Sequence, residues 1–572
     1  MNHRPRGLTV RHTTKIIFLV LALALSACTA TTDSSTTTES DTDSSSTTTH
    51  EDGTSSPVTT AAPVVRERVL ISEDQTFPDG VVIPADESWV LDPEASITIT
   101  ASGNVEVLGE LVMQPSSPDI EHVLRFEHVD ESAFVGGGMD PVASDVGLWV
   151  MGDGQLVLEG EEKTSWGYEY DPGWAGDEVV ATPNEAGNYT DFDSVTTTPP
   201  VNDLGYPTEL LNLTRNVRVE GTPDGYSHIF IRSARPQTIR YTQIRYVAPG
   251  FGDTDATGRY GIHIHMSGEG SRGSIIEGVV IRDAGNHAFV PHASHGITFR
   301  DTIAFNVRNE AYWWDPPPES DNDEYDPSND TNDLVWDRTV AAGVDLGVSG
   351  NRFRLGAYFL GNGFNISVTN SVAVGVQGES GADRSGFIWP ESAGAVWTFE
   401  GNTAHNNETN GIFVWQNNPE RHDVVGFTAY YNELAGINHG AYENSYQYRD
   451  LTLLDNGVAV VSHALGDPSD GADTQIWSNV VTDGGVLVID EHATEAEVPV
   501  RFEQCDFSQV LVEDGDGGAA SEYDFIGCDL EPDDFDLAGA RSDSVFRVQR
   551  ADGTAFQLEG DGAVTEIEAF FG

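Results

Sequence analysis

Lysine is almost absent from this chain. Lys15 and Lys163 are the only two in 572 residues, and the 29 Lys and Arg face 92 Asp and Glu for a formal net charge of −63. A surface of that sign repels nucleic acid and anionic lipid, so nucleic acid is excluded as a partner. It suits a salty habitat, where self-repulsion is screened. It would also repel an anionic polysaccharide, unless the binding site is locally basic or holds a cation. Cysteine is scarce as well, with Cys28, Cys505 and Cys528 alone. The last two lie 23 residues apart, in VRFEQCDF and YDFIGCDL. They read either as stacked neighbours in a repeat or as a disulfide, which export permits. Helical periodicity is rare between residues 210 and 470. No phosphate loop, Rossmann fingerprint, nucleophile elbow, zinc-finger spacing or HExxH is present.

The N-terminus has basic Arg4, Arg6, Arg11 and Lys15 and then IIFLVLALALSAC, an apolar run ending at Cys28. This is the layout of an export signal, too short for a comfortable membrane span. Leu25, Ser26, Ala27 and Cys28 resemble the lipobox of bacterial lipoproteins. That resemblance implies cleavage after residue 27 and lipidation of Cys28, anchoring the exported protein to the cell envelope membrane. An ordinary signal peptide with an incidental cysteine is the alternative. Residues 28–65 are rich in Ser, Thr and Asp and cannot bury a core, so they read as a flexible tether.

Short apolar stretches separated by Asn, Gly and Asp recur in the remainder. Thr403 and Asn407, Thr428 and Asn432, and Thr452 and Asn456 are pairs four apart, repeating at 25 and 24 residues, and Thr302 and Asn306 form a fourth pair. A period near 24 with short strands fits one coil of a parallel β-helix, in which identical side chains stack into ladders. Asn at a turn tolerates left-handed backbone and hydrogen-bonds along the stack. The fold class is therefore all-β, a parallel β-helix over 166–475, with 476–572 as C-terminal β coils or a cap. Residues 66–165 show alternating strands broken by Gly and Asp, a β-sandwich or β-roll pattern placed to cap the N-terminal end of the helix.

Three stretches, TRNVRVEGTPDGYSHIFI, GRYGIHIHMSGEG and NHAFVPHASHGITFRDTIAFNVRNEAYWWD, followed by SGFIWPESAGAVWTFEGNTAHNNETNGIFVW, resemble the right-handed β-helix of the animal cell-surface and secreted hyaluronan depolymerases, fibrocystin-like branch included. The preceding region is similar to the eight-glycine domain of that family, with Gly103, Gly109, Gly147, Gly152, Gly154 and Gly160 among its glycines. The resemblance covers roughly 70–420. It implies an extracellular right-handed β-helix that handles a linear anionic polysaccharide. The family's His, aromatic pair and Glu-Asp are replaced here by Glu310 to Asp315 and an acidic, Pro-rich insert.

His263 and His265 are two apart on a predicted strand and point the same way. His292 follows His265 by 27 residues, about one coil, and His295 is three further on. His228 lies on the strand HIFIR. Clustered neutral imidazoles suit one divalent metal ion such as zinc, nickel or manganese, with His228, His263 and His265 as ligands. A buried, hydrogen-bonded histidine ladder is the structural alternative. Arg259 would hold a sugar carboxylate or a surface ion pair. Glu310 with Asp315 would be an acid and base pair, and His292 or His295 would serve as base in a lyase. Trp313, Trp314, Trp389, Trp397 and Trp415 concentrate in the same coils, where flat rings stack on sugars or pack in the coil interior; Trp313, Trp314 and Trp415 are the candidate sugar binders. The reading is a monomeric, lipid-anchored polysaccharide depolymerase, hydrolase or lyase. The alternative is a surface protein that binds glycan without cutting it.

Overall fold

The computed structural model describes residues 65–133, 139–142, 144, 146–250, 258–313, 329–346, 355–378, 384–390, 395–415, 418–440, 444–463, 474–490, 499–513 and 522–571. They form a right-handed parallel β-helix of short strands, with no α-helix among the described residues. Each coil visits three faces. A representative coil runs through Ile262–Gly268 on the first face, Ile275–Glu277 on the second and Val280–Ala284 on the third, before Phe289–Ser294 returns to the first. Each strand pairs in parallel with its counterpart one coil away: His265 with His292, Ile276 with Phe299, and Ile281 with Ala304.

The corner between the second and third faces is one left-handed residue per coil. Gly278, Asp301, Asn370 and Asp450 take it at φ values of 62°, 51°, 51° and 57°. Gly, Asn and Asp tolerate this conformation at least cost. The long connections fall instead at the two edges of the first face, such as 313–335 and 346–355.

The interior is stacked side chains. Phe289, Tyr312, Tyr358 and Phe387 lie ring on ring at 5.0, 4.6 and 4.6 Å. The two buried tyrosine hydroxyls pair with Thr302 and Thr339, each at 2.9 Å. Trp389 and Trp397 belong to this interior rather than to a sugar-binding surface.

The Thr/Asn repeat is the register of the helix. Thr403, Thr428 and Thr452 are direct partners on the third face. The Asn407 side-chain amide donates to Asn432 at 2.8 Å, Asn432 donates to Asn456 at 2.8 Å, and both also reach carbonyls of the coil before. The left-handed residues are the ones just before them, Asn406, Tyr431 and Asp455. The pair Thr302 and Asn306 does not belong to this ladder. Ile303 aligns with Val340, Val372 and Thr403, so Thr302 is one position out of register and Asn306 is an exposed left-handed corner residue. Replacing Asn432 with Ala should lower stability by roughly 1–3 kcal/mol for each buried group it leaves unpaired. A shift in urea midpoint checks this; no shift would mean the ladder is not holding adjacent coils.

Two sequence-based boundaries change. Residues 67–160 are not a sandwich or cap. Glu67–Ile71, Glu87–Leu91, Glu110–Met113 and Gln155–Glu159 pair in parallel and join Thr238–Arg240 of the next coil, so they are the first coils of the same helix. Alternating strands look alike in a sandwich and in a coil; only the parallel partner tells them apart. The glycines of this region serve coil stacking. A Cβ on Gly109 would sit 2.1 Å from the Pro84 carbonyl, and one on Gly160 2.1 Å from that of Tyr241.

The second change is an insertion, residues 161–213, with a small antiparallel sheet of Trp166–Gly167, Leu210–Asn212, Val179–Ala181 and Asp193–Ser194. It acts as a strap. Trp166, Val180, Leu211 and Leu213 cover the outward positions Val280, Ile303, Val340 and Val372 of the third face. At the far end of the helix Val545–Gln549 pairs antiparallel with Ala555–Glu559, which pairs with Val564–Ile567, covering the last open edge. Cys505 and Cys528 are joined by a disulfide.

Candidate functional site on the first face

The first face has an outward ladder that is apolar and aromatic instead of charged. Trp149 pairs with Phe230, and Phe230 with His263; His263 pairs with Val290, and further along Phe359 pairs with Ile388 and Ile388 with Phe413. These side chains point away from the coil interior and are nevertheless buried.

His263, His265 and His292 converge here, with one ligand-capable atom of each within 4.8 Å of the others. Alternation along the strand puts His263 and His265 on one side, and the coil step puts His292 directly opposite His265. His263 Nδ1 donates to the Gly258 carbonyl at 3.0 Å, which leaves Nε2 of the neutral ring as an acceptor. His265 Nδ1 lies 3.2 Å from that Nε2. His263 and His265 are buried and His292 is half-buried, so His292 is the open side of the cluster.

His228 does not join the convergent group. Its ring fills the space left by Gly147, where a Cβ would lie 2.4 Å from it, and meets Trp149 edge-on. Burial, and then the charge of Arg259 and the nearness of His263, hold its pKa well below the usual histidine value. The triad is therefore His263, His265 and His292, with His292 in the place the sequence assigned to His228. His295 is also elsewhere: its Nδ1 accepts from the Asn332 backbone N–H at 3.2 Å, beside the Arg272, Glu269 and Asp333 ion pairs. It belongs to the corner between the first and second faces.

Arg259 lies over the Trp149 ring at 4.8 Å, next to His228, and puts positive charge at the edge of the cluster. Tyr260 stands between two histidines, with ring centroids 4.9 Å from His263 and 5.0 Å from His287. His287 stacks on Trp313 at 3.7 Å, and its Nδ1 is 3.0 Å from Glu310 Oε2. Glu310 thus faces His287; its expected partner Asp315 lies outside the described residues, as does Trp314. Trp313 is buried in this stack. Trp415 is half-buried, parallel to Phe413 at 5.8 Å and against Gly440.

His287 escaped the sequence reading. A signal existed: Asn286 and His287 precede Asn309 and Glu310 by 23 residues, one coil period, and Asn309 donates to Asn286 across that step.

The triad fits a divalent ion chemically. Three imidazoles, one with its far nitrogen fixed by a carbonyl, are a suitable donor set for zinc or a similar metal.

No family model matches the chain, and no curated protein matches it. Among solved structures it is similar to the A-module of a mannuronan C-5 epimerase from Azotobacter vinelandii, at 10% identity over 84% of this chain and 91% of that one, with a TM-score of 0.19. A Pseudomonas phage tailspike matches at 10% identity over 79% of this chain and 71% of that one, also at 0.19. Likenesses this loose decide nothing about activity; the fold rests on the strand pairing.

Proposed function

We propose that this protein cleaves an acidic extracellular polysaccharide on the outer side of its first face, with His263, His265 and His292 at the centre. The observation that carries this reading is the convergence of three imidazoles beside Arg259 and a row of aromatic rings, on a chain whose charge is otherwise overwhelmingly negative. Such a chain can hold an anionic polymer only where positive charge is concentrated. Arg259 supplies one such charge, and the triad would hold a divalent ion. Bound there, that ion would polarise a sugar oxygen or activate a water. Trp415, with Phe413 behind it, offers a flat face for a sugar ring. Hyaluronan is the first polymer to test, because of the family resemblance. An anchor on Cys28, with residues 28–65 as tether, would keep the enzyme at the cell envelope. A second reading, glycan binding without cleavage, is favoured by the near-complete burial of His263 and His265.

The test is elemental analysis of the full chain beside a His263→Ala/His265→Ala double variant, with both offered acidic polysaccharides. The expected outcome is near-stoichiometric metal and chain shortening in the wild type, both lost in the double variant. A folded, metal-free wild type would sink the metal centre. Glycan binding without shortening would establish the second reading.

A further inference from the structure

We infer that cleavage at this face is a β-elimination, with His287 taking the proton and Glu310 positioning His287. This rests on the proposal that the face cleaves an acidic glycan. The groups placed along this part of the face argue for elimination. Among the described residues, the carboxylate placed against these rings is Glu310, and it is turned to His287 at 3.0 Å. From His287 a line of contacts runs through a phenol and an imidazole toward a guanidinium: Tyr260 meets both His287 and His263, and Arg259, next to Tyr260 in sequence, lies over Trp149. An imidazole is a base suited to neutral pH, and removing a proton next to a uronate carboxylate needs a cation on that carboxylate. The Arg259 edge of the cluster provides one.

The His287 ring is held on several sides. Trp313 fixes its plane at 3.7 Å and 20°. Tyr260 meets it edge-on. The His287 backbone N–H donates to Asn286 Oδ1 at 2.8 Å, and Asn309 on the next coil donates to the same oxygen at 3.2 Å. The Glu310 carboxylate approaches Nδ1 to 3.0 Å without a regular hydrogen bond, and its charge favours a proton on that nitrogen and leaves Nε2 unprotonated.

In the reaction, His287 Nε2 takes the C5 proton of a uronate. The C5–H electron pair enters the carboxylate as an enediolate, then returns to form a C4=C5 double bond as the C4–O bond breaks. The departing oxygen takes a proton from solvent, and His287 later returns its own. No water is added across the bond, and no oxidant or reductant is needed.

The experiment offers the full chain polygalacturonate, alginate and hyaluronan. It follows chain length together with the ultraviolet absorbance of the unsaturated end. A nitrogen-15 spectrum of histidine-labelled protein reports the His287 tautomer, assigned with His287→Asn. Expected are one unsaturated end per cut and a fall in kcat of roughly 10²- to 10⁴-fold in His287→Asn. Glu310→Leu should lower kcat with little change in KM and move His287 from the Nδ1–H to the Nε2–H tautomer, and Glu310→Asp should restore part of both. Saturated ends would overturn the elimination and leave the cleavage proposal standing. Uncut polymers would overturn both. An Nε2–H tautomer of His287 in the wild type would overturn the role of Glu310 whatever the polymers show.

Discussion

Glu209→Leu should destabilise the protein by roughly 3–5 kcal/mol, the usual consequence of removing one partner of a buried ion pair. Glu209 sits on the strap and meets His405 Nε2 at 3.0 Å on the third face, and both side chains are fully buried. Thr182 donates to the same carboxylate at 2.7 Å. Around this pair His405 stacks on Tyr430, and Tyr430 on Tyr206 of the strap. The Asn406 amide donates to the carbonyls of Glu185 and Asn188, tying the strap down a second time. Leucine at 209 would leave the buried His405 ring and the Thr182 hydroxyl without the carboxylate they share. The first structure to open should be the strap, so limited proteolysis within 182–208 should speed up before the coils unfold. Proteolysis and urea midpoints both equal to the wild type would show that the pair contributes nothing.

The same pair sets an acid limit. Burial alone would raise the Glu209 pKa, but the His405 charge and the hydrogen bonds from His405 and Thr182 outweigh it and hold it below 4.5. A carboxylate with a lowered folded pKa stabilises fully above its unfolded value and loses that contribution as the pH falls through the folded one. The latch should therefore weaken only well into acid.

Between pH 6.5 and 4 a different group should dominate, with about 3 kcal/mol of stability lost through His422. Its ring stacks on Tyr446 at 4.5 Å inside the coil, and neither nitrogen has a hydrogen-bond partner among the described residues. Burial lowers its pKa from 6.5 to about 4, with Asp423 opposing. The sign follows from proton uptake. Above pH 6.5 both states are neutral and nothing is lost. Below it the unfolded chain takes a proton that the folded chain refuses, so stability falls until the pH reaches the folded value. At about 1.4 kcal/mol per pH unit, that gap sets the size of the loss. His228, lowered for similar reasons, adds to the same slope. His422→Phe keeps a ring on Tyr446 and cannot titrate, so its stability curve should be flatter by that amount between pH 6.5 and 4. Equal slopes in variant and wild type would show that His422 takes up its proton while folded.

The candidate site was half legible. His263 and His265 were visible because alternate strand residues share a side, and His292 because its distance from His265 matches a coil. His228 immediately precedes the strand Ile229–Ser233, and the missing side chain of Gly147 leaves room for its ring beside Trp149 and out of the group. Glu310 was noticed for its charge, but its place beside His287 was not, since the coil period that brings the two together was read only for Thr and Asn. His295 is three residues from His292, but the chain has already turned the corner there, and its ring faces the Asn332 backbone.

By itself the sequence determined the all-β character, the coil length and the third-face register, because stacked coils repeat like side chains at a constant interval and Thr403, Thr428, Thr452 and their asparagines preserve it. Tertiary structure alone decided that residues 67–160 are coils of the same helix, that 161–213 leave it as a strap locked by Glu209 and His405, and which histidines meet. The physical reason is shared by all three. A strand's alternation records which side is buried but not which strand lies beside it, and both the strap and the site are made of partners that only the completed stack brings together.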